Sequence, residues 1–136
     1  VTIIKYISIL LIGILFVGCD AFKNEQSVPQ ELIGEWKLTG TGYGPNPTYE
    51  VDPNRSSMTL FLYNDRVMWY QDGEIWTKFG TTEKKKGWPE DSFYMNSKNN
   101  SFCDFKAVFN PETNTLGIIP ANCLDFPSHF FQKSPD

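Results

Sequence analysis

From Leu32 onward, apolar side chains recur at every second position in short runs. Period two is the repeat of a strand with one face buried, because successive side chains point to opposite sides of the backbone. Leu32, Gly34, Trp36 and Leu38 share one face, with Glu35, Lys37 and Thr39 on the other. Comparable runs lie at residues 58–63, 67–70, 75–79, 92–95, 105–109, 116–119 and 128–133. Turn chemistry separates them roughly every ten residues, the spacing of an all-β sandwich or barrel. Asp72-Gly73 is the sharpest turn signal, since Gly accepts positive φ and Asp tolerates it. Asn64-Asp65 is another, and residues 40–47 (three Gly, two Pro) and 81–90 read as loops. No helical period follows residue 18. The expected fold is a small antiparallel up-and-down β-barrel of about eight strands, because most links are short enough for hairpins and closure removes exposed edges. Aromatic residues are 15% of the 136, far above what a disordered chain carries and enough for a packed core.

The N-terminal stretch has a different pattern. Residues 1–5 hold one positive charge, residues 7–17 are apolar apart from Ser8 and Gly13, and Phe16-Val17-Gly18-Cys19 follows. That is the layout of a secretory leader, and the apolar run falls short of the roughly 20 residues needed to span a bilayer. Phe16-Val17-Gly18-Cys19 resembles the lipobox of bacterial lipoproteins, with Phe in place of the usual Leu. The resemblance implies a signal helix cleaved after residue 18 and a diacylglycerol thioether on Cys19, enough acyl chain for stable attachment. Residues 19–30 then read as the lipidated cysteine and a polar, flexible tether, and residues 31–136 as the folded domain. The expected place is the bacterial envelope, in the outer membrane in preference to the inner.

Leu32-Ile33-Gly34-Glu35-Trp36-Lys37-Leu38 resembles the Gly-x-Trp opening strand of the lipocalin-like superfamily, and especially of small bacterial lipoproteins with a lipocalin-like domain. The resemblance implies that Trp36 plugs the closed end of the barrel, with Gly34 beside it and Lys133 lying over the indole. A cation on an indole face contributes about 0.5 to 2 kcal/mol. The likeness spans residues 31–134 in strand count and only the first strand in motif. The Thr-Asp-Tyr motif of typical lipocalins is absent, and no helix follows the strands.

With Cys19 lipidated, Cys103 and Cys123 remain as an even pair in an exported domain, where a disulfide is expected. Tetrahedral zinc would need further Cys or His ligands, and His129 is the only histidine. A Cys-His dyad would need a reduced thiolate, and a relay from Asp125, Ser128 and His129 has no Gly-x-Ser-x-Gly elbow. Asp104 and Asp125, flanking the cysteines, would act as acid and base only if one sat in an apolar pocket. No Gly-rich phosphate cradle or calcium loop is present. The expectation is a non-enzyme without metal or cofactor. A net charge of −4 without a basic face argues against nucleic acid. Lys84-Lys85-Lys86 reads as a solvated loop tip.

Two functions fit these residues. In the first, the barrel mouth, lined by Tyr43, Trp69 and Trp76, holds a small apolar or amphipathic ligand, since pockets favour apolar walls with few polar groups. In the second, the core is filled and the outer aromatics dock a protein of the envelope. An interior cavity of a few hundred Å³ separates the two.

Overall fold

The computed structural model describes residues 26–55, 57–97, 103–123 and 125–135. The leader and Cys19 lie outside them. The chain forms β1 (Gly34–Gly42), β2 (Tyr49–Glu50), β3 (Met58–Leu62), β4 (Arg66–Gln71), β5 (Glu74–Glu83), β6 (Ser92–Ser97), β7 (Phe105–Asn110), β8 (Thr115–Pro120) and β9 (Ser128–Lys133). Strands β3 to β9 pair antiparallel in sequence order, and β1 lies between β3 and β9, so eight strands close an up-and-down barrel. The two-residue β2 is an addition that pairs with the far half of β1.

The turns form where turn residues stand. Asp72 and Gly73 take φ of 53° and 80°, the left-handed pair that matches the twist of a two-residue hairpin. Asn114 takes φ 54° at the end of the β7–β8 turn. β1 runs further than its sequence suggests: Gly40 and Gly42 extend the strand instead of ending it. They have no side chains because the 43–48 loop folds back onto them. A Cβ on Gly40 would stand 2.9 Å from the Tyr49 carbonyl oxygen, and one on Gly42 2.8 Å from the Thr48 nitrogen.

Inward alternation fills the barrel. Leu60, Leu62, Val67, Trp69, Phe79, Phe93, Met95, Phe105, Ala107, Leu116, Ile118 and Phe131 are closed to water, each at 1% exposure or less. Full burial of such a side chain contributes roughly 1.5–3 kcal/mol. Trp69 sits at the centre, with Phe79, Phe105 and Phe131 around it at ring distances of 6.3, 5.9 and 5.7 Å. The mouth-lining role expected for Trp69 is therefore corrected. It is a core residue, and these side chains leave no water-sized space beside them.

One end is plugged. Val28 and Leu32 are buried there, and a 3₁₀ turn, Gln30–Leu32, lays its last carbonyl against Trp36, whose Nε1–H donates to Leu32 O at 2.8 Å. Ser27 and Val28 donate backbone N–H groups to Asn64 O in the β3–β4 turn. The folded part thus begins by Ser27, a few residues inside the expected tether. Lys133 stands opposite Trp36 in the β1–β9 ladder. Its Nζ donates to Glu31 O at 3.1 Å and its stem lies along Gly34, so it caps the turn, while Phe109 meets the Trp36 ring edge-on at 5.9 Å.

Candidate functional site

The other end is the mouth, where two β-bulges decide which side chains face inward. In β1 the register slips between Leu38 and Gly40. Thr39 is the extra residue, so Thr41 faces His129 and Gly40 faces Phe130 on the outer wall. In β5 the register slips opposite Trp69 and Tyr70, pairing them with Thr77 and Ile75. Trp76 is the extra residue, and its ring lies edge-on to Trp69 at 5.0 Å and stacked on Phe126 at 6.2 Å. Bulges concentrate at barrel rims and re-aim side chains in this way.

The mouth is thus roofed by aromatic rings. Phe126 packs on Phe105 and on the imidazole of His129, which in turn meets Trp69 edge-on at 5.1 Å. His129 Nδ1 lies 3.1 Å from Pro127 O, and burial pushes its pKa below the usual 6.5 against the opposing effect of that backbone contact. It is neutral at physiological pH. Beneath the roof the indole N–H of Trp69 has no hydrogen-bond acceptor among the described residues. Above it, Trp76 is 39% exposed and Ile75 48%, and across the rim Tyr49 and Tyr43 on the β1–β2 hairpin are 67% and 71% exposed. The structure therefore brings Trp69 and Trp76 together and places Tyr43 at a loop tip.

Cys103 and Cys123 form a disulfide beside this end, with Cα atoms 5.8 Å apart. Asp104, next to it, receives the Ser97 N–H and the Tyr94 hydroxyl and is held by Asn122. Burial, then the Asp104 contact, raises the Tyr94 pKa. These bonds tie β6, β7 and the β8–β9 link together, so Asp104 is a structural ligand, while Asp125 is exposed. Two carboxyls do converge, but at the plugged end: Asp91 is raised by its hydrogen bond to Glu31, and Glu31 is lowered, first by a backbone hydrogen bond. Glu31 is exposed and Asp91 half-buried at the surface, and no apolar cleft of the kind acid–base work requires encloses them among the described residues.

A second concavity lies on the outer wall. Phe130, directed outward from β9, is buried under the 43–48 loop, and Gly117 makes room for its ring: a Cβ there would stand 3.3 Å from Phe130 Cε1. Pro45, Pro47, Val108, Ile119 and Phe130, edged by Asn46, Asn110 and Thr115, line a half-open groove of about 380 Å³. An interior cavity of that size would have favoured a ligand inside the barrel. The groove lies outside because the interior is occupied by large rings. Sequence reasoning missed Phe126 and Ile75 as rim residues, since the bulge that sets Trp76 and Ile75 leaves no composition signal. No family model, curated protein or solved structure matches the chain.

Proposed function

We propose that the protein is a lipid-anchored, non-enzymatic docking module of the bacterial envelope, presenting the aromatic barrel mouth to a protein partner. The single observation that carries this reading is the pairing of a filled interior with exposed Tyr43, Tyr49, Ile75 and Trp76 around its rim. Tyr and Trp contribute disproportionately to protein interfaces, and large exposed apolar groups gathered at one end of a small domain suit a contact surface. Attachment is assigned to Cys19 by its lipobox-like setting. No helix among the described residues is long and apolar enough to cross a membrane.

The groove under the 43–48 loop supports a second reading, a small amphipathic ligand held on the outer wall. Its volume of about 380 Å³ falls within the range of small-molecule sites, and its lining is apolar with a few polar groups. Native mass spectrometry of the exported chain, purified without detergent, separates the two. A bare folded chain, two hydrogens light from the Cys103–Cys123 disulfide, is expected for the docking module. A stoichiometric small mass, lost in Gly117→Val, would replace that reading with the second. Cys19→Ala is expected to move the protein into the soluble fraction, and retention in the membrane would remove the lipid anchor from the proposal.

A further inference from the structure

Both ends of the barrel carry carboxylates, but the exposed cations are divided unevenly between them. Glu50, Asp52, Asp72, Glu74 and Asp125 stand exposed around the mouth, on β2, the loop after it, the β4–β5 turn and the β8–β9 link. The exposed cation at that end among the described residues is Arg55, 3.8 Å from Asp52, while Lys106, half-buried one residue inside the mouth end of β7, is turned onto Trp88. The plugged end carries Arg66, Lys84, Lys85, Lys86 and Lys133 among its own carboxylates. The aromatics differ in the same sense. Tyr63 at the plugged end has Arg66 over its ring at 4.5 Å, and on the outer wall Tyr94 has Lys85 at 4.8 Å and Trp88 has Lys106 at 4.6 Å. Tyr43 and Tyr49, the most exposed rings at the mouth, have no cation over them among the described residues.

Where the chain enters bounds how far that end can stand from an anchor. It joins the barrel at the plugged end, through Ser27 and Val28 on Asn64, and Cys19 precedes Gln26 by seven positions. Seven residues reach about 25 Å when fully extended. A lipid on Cys19 would hold the plugged end within about that distance of the bilayer.

We infer that the mouth docks a cationic, apolar segment of another protein, with Arg or Lys side chains meeting the carboxylate rim and stacking on Tyr43 and Tyr49, and apolar side chains on Ile75 and Trp76. The inference rests on the docking reading above and specifies its partner's chemistry. Guanidinium groups suit both features, since they pair with carboxylates and stack on aromatic faces.

The test is fluorescence anisotropy of the full chain in detergent with a labelled short peptide of alternating Arg and Leu, alongside its Glu-for-Arg counterpart. The Arg peptide is expected to bind and to weaken about tenfold between roughly 50 and 300 mM salt, as exposed charge pairs are screened. Asp72→Asn with Glu74→Gln, and separately Tyr43→Ser with Ile75→Ser, are each expected to weaken it about fivefold or more, the scale of one or two interface contacts. Lys84→Gln with Lys86→Gln at the plugged end leaves it unchanged. Equal binding of the Glu peptide, with the Tyr43/Ile75 variant still weakened, would overturn the cationic partner and spare docking at the mouth. Absence of binding by both peptides, or binding untouched by either mouth variant, would overturn the inference, and the second outcome would take the mouth as a docking surface with it.

Discussion

His129 links the chemistry of a single residue to the stability of the mouth. Its folded pKa lies below its ordinary value of 6.5 because burial disfavours the imidazolium. The stabilisation from keeping it neutral is complete above the unfolded pKa and is lost as pH falls through the window between 6.5 and the lower folded value. Thermal melts between about pH 8 and 5 are expected to slope downward below that point, and His129→Phe is expected to flatten the slope; parallel curves would show that the imidazole is not desolvated. Trp36→Ala should cost about 3 to 5 kcal/mol, because the indole fills the plugged end and its N–H holds Leu32 O. A change of a few tenths in chemical denaturation would remove Trp36 from the core. Several single residues were legible in advance. The pairing of Cys103 with Cys123 followed from their parity once the chain was read as exported, and Trp36 from its place in the first strand. Lys133 was read beside Trp36, and it stands opposite Trp36 in the ladder; its bond to Glu31 O was not read, since the direction of a four-carbon side chain is not visible in sequence.

At the scale of elements, alternation located every long strand, while the bulges stayed hidden. A bulge shifts pairing by one residue, so its signature is in the register between strands and not in either strand's own pattern. That is why Trp76, expected at the mouth, gives no sign in sequence that it is the bulged residue whose ring lies on Trp69. Gly40 and Gly42 misled for a related reason: Gly-rich sequence reads as loop, whereas here the loop lies on top of a strand that needs glycine beneath it. Gly40→Val is expected to lift the 43–48 loop, destabilise by about 1–3 kcal/mol as overpacking does, and speed amide exchange at Thr48 and Val51, which donate to Thr41 O and Thr39 O. Unaltered exchange at those two amides would mean that the loop does not press on β1. Reduction of the disulfide opens a loop worth about 3 kcal/mol in chain entropy; the melting temperature should fall accordingly in reductant.

Over the whole molecule, the barrel is closed by β1 meeting β9, Trp36 to Lys133 and Gly42 to Ser128. Closure followed from hairpin-length links, and the filled interior did not, because volume depends on which rings share a layer. A chain delivered from its N-terminus, whether by synthesis or by threading through a membrane, holds β1 ready long before its partner arrives. Until β9 is present, that edge and the inward rings beside it have nothing to pair with. Contacts of such long sequence separation form late and slowly. The topology therefore delays its own completion: the meander from β3 to β8 can pair as it emerges, and the barrel seals only with the arrival of its last strand.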